Sequence, residues 1–126
     1  MKTMKLGVKI RQQDSYYDSF ADKAKAAELK AEDEKYRNGS FEVEILELTG
    51  TEKQIACAED LLFRELQETA ERKFEILKKL SPEQADKLFS QAGVNNASEM
   101  LKMAITTCHK ELLQMTSAKD IIEKLA

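Results

Sequence analysis

The chain has 126 residues, 42% hydrophobic and 34% charged, with four Gly, one Pro and no Trp. That fits one domain over residues 1–126, long enough to bury a core without disulfide or metal staples, and it excludes a disordered or all-β chain. The net charge of −3 is spread evenly, 9 basic and 10 acidic side chains in residues 1–50 against 11 and 13 in residues 51–126, so no cationic block marks a duplex-DNA reader.

The opening MKTMKLGVKI holds no apolar run long enough for a signal peptide or a span, which predicts a protein of the reducing cytoplasm with no membrane partner. Within it Met4, Leu6, Val8 and Ile10 alternate with Lys5, Gly7 and Lys9, the period of a half-buried strand over residues 4–10. DSYYDSFADKAKAAELKAEDEKYRNG is rich in helix formers and predicts one helix with a narrow stripe of Tyr17, Phe20, Ala24, Ala27 and Ala31. Asn38-Gly39 ends it as a left-handed cap, the reading favoured by the Ala, Lys and Glu upstream. The same dipeptide also suits a hairpin with EKYR and SFEVE as arms. FEVEILE, residues 41–47, is a second strand with Phe41, Val43 and Ile45 inward and Glu42 and Glu44 outward. Two strands alone are marginal and need a helix or a partner's strands against them.

From Thr51 onward the pattern is helical. Ile55, Ala58, Leu62, Leu66, Ala70, Phe74, Leu77 and Leu80 recur at steps of three and four, a helix of about thirty residues. Ser81-Pro82-Glu83-Gln84 restarts a short helix that turns Ala85, Leu88, Phe89 and Ala92 inward and stops at Gly93. Asn96, with Glu99 three residues later, caps the last helix, striped by Leu101, Ala104, Ile105, Cys108, Leu112 and Met115. Ile122 and Leu125 continue that phase, so residues 97–125 form one helix, or two if Thr116-Ser117 breaks it and Ser117-x-x-Asp120 caps the second. The fold class is therefore α+β, mainly α. A small N-terminal two-stranded β element with one helix (residues 1–50) precedes two long helices joined by a short one (residues 51–126).

LTGTEKQ writes a cap twice, Thr49-x-x-Glu52 and Thr51-x-x-Gln54, with Gly50 turning the chain sharply out of the strand. The weaker reading is a small-anion site at Thr49, Gly50, Thr51 and Lys53, although a phosphate loop carries more glycines and a Lys-Ser/Thr pair. LTGTEKQIACAED resembles a segment recurring in small proteins of phages and bacterial mobile elements, where a strand leads through L-T-G-[ST]-E-K-Q into a long helix. Thr116-Ser117-Ala118-Lys119-Asp120-Ile121-Ile122 resembles the segment that often closes them. The likeness covers about thirteen residues firmly and the far end loosely. Cys57 and Asp120-Ile121 stand where that family usually shows Trp. The resemblance implies a strand-then-helices layout and a mobile-element origin in a bacterial host, and it assigns no residue a role.

Catalytic chemistry is hard to assemble. Cys57 and Cys108 are too few and too far apart for a disulfide framework or a metal pair, and both fall on apolar stripes, which predicts buried, inert thiols. His109 is adjacent to Cys108 and points about a hundred degrees away from it, so it is expected at a surface or rim. Glu32, Asp33 and Glu34 fan around a helix, and Glu59, Asp60 and an Arg64–Glu68 pair look like ordinary helix charge. Tyr16, Tyr17 and Phe20 cluster as helix packing rather than as a base-stacking platform beside Arg11 and Lys23. No metal and no cofactor are expected.

The sequence thus predicts a non-enzymatic interaction protein that binds a host or viral protein. The alternative is a binder that sequesters a small anionic ligand such as a nucleotide signal, in a pocket lined by Lys53, Arg64, Arg11 or Lys119. Leu61, Phe63 and Ile76 lie off the main stripe of the long helix, and Met100, Met103 and Leu113 add apolar surface beside the last one. Together they predict a homodimer with Leu61, Phe63 and Ile76 as contacts.

Overall fold

A computed structural model describes residues 2–8 and 14–126. The element order is β1 (Lys2–Val8), α1 (Asp14–Asp18), α2 (Lys23–Glu32), a π-helical segment (Asp33–Arg37), β2 (Gly39–Ile45), α3 (Glu52–Lys78), α4 (Pro82–Ala92), α5 (Ala97–Cys108), α6 (Lys110–Leu113) and α7 (Ala118–Leu125). The α+β, mainly α class holds. β1 runs antiparallel to β2 with Leu6 opposite Phe41 and Lys2 opposite Ile45. Each strand starts two residues earlier than its pattern alone indicates, and Lys9 and Ile10 lie outside the described residues.

The sheet buries Leu6, Phe41, Val43 and Ile45 against α3, which lies along β1, and α5, which lies along β2. Leu62, Leu66, Leu101 and Ile105 are fully enclosed there, each burial favouring folding by about 1.5–3 kcal/mol. The two strands need no third. Gly7 N–H donates to Gln67 Oε1 (2.8 Å) and Gln67 Nε2 donates to the Gly7 carbonyl (3.0 Å), so a side-chain amide on α3 takes the place of a neighbouring strand. At the other edge the Ser98 hydroxyl donates to the carbonyls of Asn38 and Ser40.

The single helix expected between the strands is broken. Asp22 accepts from Ala24 N–H and Lys25 N–H and starts α2 afresh, which resets the phase. Ala24, Ala27 and Ala31 are exposed and the buried positions are Tyr17, Ala26 and Asp33. Asn38-Gly39 is neither a left-handed cap nor a hairpin turn. Asn38 is extended (φ −89°, ψ 106°), and its side chain accepts from Ser40 N–H and from the Ser40 hydroxyl. Gly39 begins β2, where a Cβ would lie 2.7 Å from Leu101 Cδ1 and 2.8 Å from Phe74 Cδ2. The glycine serves close packing, not a turn.

α3 and α4 follow their patterns closely, each opened by a complete capping box at Thr51 and at Ser81. Gly93 (φ 74°) closes α4 in the left-handed conformation. The last region is three helices. α5 stops at His109 (φ −115°, ψ 31°), α6 is a single turn, and Ser117 accepts from Asp120 N–H to start α7. Among the described residues no helix is long and apolar enough to cross a membrane.

Candidate functional site

Residues 48–60 and 116–122 meet in space. Thr49 N–H donates to the Thr116 carbonyl (2.7 Å) and Ala118 N–H to the Thr49 carbonyl (3.0 Å), a parallel bridge between Thr49 and Ser117 that leads both strands of chain into helices. Gly50 (φ +144°) passes so close to α7 that a Cβ would stand 3.3 Å from Ala118 Cβ and 2.9 Å from Gln54 Oε1. Behind it Ala58, Ala118 and Ile121 form a small core of their own. Only one of the two capping boxes forms. The Thr51 hydroxyl accepts from Gln54 N–H and Gln54 Oε1 accepts from Thr51 N–H, whereas the Thr49 hydroxyl donates to Thr116 instead of capping α3.

This local chemistry leaves little for an anion. The N–H groups of Thr49, Thr51 and Gln54 already have partners within the chain. Lys53 is exposed, Arg64 pairs with Asp60 at 3.0 Å rather than with Glu68, and Lys119 lies 4.0 Å from Glu123. Arg11 falls outside the described residues. Glu59, expected to be solvated, instead binds Lys2 of β1 at 2.8 Å.

Grooves mark the surface among the described residues. One, of about 690 Å³, runs beside the outward face of the sheet and is lined by Lys5, Gly7, Ser40, Glu42, Phe63 and Gln67 among others. A second of about 370 Å³ lies between α3, the α5–α6 junction and α7, and a third of about 210 Å³ lies by Ile45, Leu48 and Ile55. None of the three takes a side chain from Lys53, Arg64 or Lys119.

Of the proposed interface residues, Phe63 (39% exposed) and Ile76 (59%) face solvent and Leu61 is half-buried. Helical geometry sets Phe63 about 140° from Ile76 and about 160° from Leu61, so the three do not form one patch. Met100 and Leu113 pack on the main core from its margin. A single chain therefore covers most of the apolar surface that suggested a dimer through these helix faces.

Both cysteines are exposed, a correction to the buried thiols expected from the stripes. Cys57 sits one residue from the enclosed Ala58, which is about 100° around the helix, and Cys108, the last residue of α5, is exposed although it keeps the phase of Leu101. His109 is half-buried at the rim, its Nε2 2.8 Å from Thr69 Oγ1. The Thr69 hydroxyl donates to the Glu65 carbonyl and accepts from Arg72. With its hydrogen committed, it can only accept from His109, which assigns the imidazole hydrogen to Nε2.

Two polar clusters were not legible beforehand. Asp33 is buried, its carboxylate accepting from the Tyr17 hydroxyl (3.0 Å) and from Arg37 (2.8 Å). Spacing offers one hint of it, since Asp33 and Arg37 are four residues apart. At the surface Asp86 accepts from Lys35 (3.0 Å) and the Tyr36 hydroxyl (2.8 Å), and Tyr36 stacks on Phe89. The hydrogen bonds from Lys35 and then Tyr36 hold the Asp86 carboxyl below its ordinary pKa, and the bond to Asp86 raises both Lys35 and Tyr36. These side chains latch the π-helical segment to α4. Among the described residues no group of His, Cys, Asp and Glu could hold a metal ion. Comparison with protein-family models, with curated proteins and with solved structures gives no match to this chain.

Proposed function

We propose that this is a non-enzymatic interaction protein, of phage or bacterial mobile-element origin, that works in the host cytoplasm by binding a host or viral protein. The observation that supports this reading is Phe63, a large apolar side chain held exposed on the wall of the groove of about 690 Å³ beside the sheet, which Lys5, Glu42 and Gln67 also line. An aromatic anchor within a polar rim is the usual make-up of a protein-binding hot spot. The groove is broad and open, which suits an extended protein segment better than an enclosed small molecule. Of the backbone donors that recommend the small-anion alternative, those of Thr49 and Thr51 are taken up within the chain.

The test is affinity capture from infected and uninfected host cells with the wild-type chain and Phe63→Lys, followed by binding measurements on the purified partner. A partner held by wild type and lost by at least tenfold with Phe63→Lys, whose melting is unchanged, supports the reading. Equal binding by both chains removes the groove from consideration.

A further inference from the structure

The geometry points to α7 as an exchangeable element, with the α3 of a second copy of this chain as its alternative dock, reached when α5, α6 and α7 straighten into one helix over residues 97–125. This does not depend on the partner reading above. The first support is the apolar pattern. The α5–α6 stripe of Leu101, Ile105, Leu112 and Met115 continues in phase at Ile122, as though no break existed. In the bent chain α7 shifts its enclosed positions to Ala118 and Ile121, packed against Ala58 with Ile122 and Leu125 only partly buried beside them, in a small cluster that Met115 and Leu125 join to the main core. One segment therefore encodes two arrangements, and the bend is held locally. Thr106, Thr107, Thr116 and Ser117 at the breaks are weak helix formers, whereas Lys110 to Met115 between them are strong ones.

The second support is direction. Leu101 lies with Phe74 around Gly39, His109 bonds Thr69, and Thr116 bonds Thr49 just before α3. The chain thus descends α5 and α6 antiparallel to α3, then reverses at Gln114–Thr116 so that α7 runs parallel to α3 from the Thr49–Ser117 bridge. Straightened, α7 would keep the antiparallel course and project beyond the start of its own α3. A second copy related by a two-fold axis across the helices presents its α3 in the opposite sense. The projecting α7 is then parallel to that α3, the same sense in which it docks at home. Exchange preserves the Ala58, Ala118 and Ile121 contacts between chains. It replaces two bridge hydrogen bonds and the Ser117 cap with continuous helical bonding, the usual economy of a domain swap.

The experiment uses the full chain, read by light scattering after gel filtration across concentrations up to about 1 mM. Thr116→Ala combined with Ser117→Ala removes the cap and a β-branched hinge residue. It should lower the dimer dissociation constant roughly 10- to 30-fold, because two hinges change per dimer. Thr116→Pro, which falls outside any helix in the bent chain but inside the straight one, should abolish the dimer. Independently, Ala58→Cys with Ile121→Cys, in a Cys57→Ser and Cys108→Ser background, should oxidise to covalent dimers in the dimer fraction and to covalent monomers in the monomer fraction. If the Thr116→Ala/Ser117→Ala chain stays monomeric throughout, or its dimers carry the disulfide within each chain, or Thr116→Pro dimerises like wild type, exchange is overturned. Should Thr116→Pro fail to fold, the cross-linking result decides alone.

Discussion

The body of the molecule and the arm that joins its two strands are stabilised in different ways. In the body, α3 and α5 each present an unbroken apolar stripe to the sheet, and four of the largest side chains there are enclosed completely. In the arm, α2 buries only Ala26. The segment is fixed by Asp33, gripped by Tyr17 and Arg37, and by the Asp86 latch to α4. Burial in the body is cumulative and tolerant of small losses. The arm depends on a few directional bonds, so it should come loose locally while the body stays folded.

The largest effect should come from the body. Leu66→Ala is expected to cost about 2–5 kcal/mol, read from denaturant melts, and to lower the protection of every slow amide together. Asp33→Ala should cost less, about 1–3 kcal/mol, by removing the buried carboxylate to which both the Tyr17 hydroxyl and Arg37 donate. Its signature is faster hydrogen exchange confined to α1 and α2. A uniform loss across the chain would show that the arm and the body are one cooperative unit and erase the contrast.

A smaller and more local effect tests the start of α3. Thr51→Ala should cost about 0.5–2 kcal/mol in thermal melts, and Thr49→Ala less, since Thr49 does not cap. Equal losses for the two would mean that the bridge to α7 matters as much as the cap. The smallest effect belongs to the latch. The Asp86 carboxyl is depressed, so its contribution is present above its unfolded value and is lost as pH falls through the folded one. Tyr36 and Lys35 are raised, so theirs is present below their unfolded values and is lost as pH rises through the folded ones. Between those limits the Tyr36–Phe89 stack should persist, as followed by the ring resonances of Tyr36. Asp86→Asn should weaken its acid-side dependence without unfolding the chain.

This contrast also explains which parts were legible in the sequence. α3 and α4 could be read because period, cap and stop agree, as in Ser81-Pro82 and Gly93. The α+β layout followed from the alternation of Phe41, Val43 and Ile45. The arm is not legible because Asp22 looks like one more charged residue in a helix-forming run, and only the hydrogen bond that its carboxylate accepts from Ala24 N–H makes it a cap. Asp33 was passed over because an acidic triplet gives no sign of which member will be buried. Thr49 was assigned to the nearer helix, although its partner lies 67 residues away. The exposure of Cys57 turns on a rotation of one residue, which a stripe of apolar positions does not resolve, and Cys108 is exposed at the last residue of α5. Of the candidate groove the sequence shows only Phe63, off the main stripe of α3, because the other walls come from strand residues that meet α3 only in the fold.

Gln67 has a consequence for what the sheet can become. A two-stranded ribbon with a bare edge is a template on which further strands grow, and growth of that kind ends in aggregates. Here the first position such a strand would claim on β1, the paired N–H and C=O of Gly7, is filled by a group with the chemistry of a peptide bond but no backbone attached to continue it. Both polar groups of Gly7 are met, and a ladder is blocked at that position. Gln67→Ala would leave the core untouched but reopen that edge, so Gln67 guards solubility more than stability.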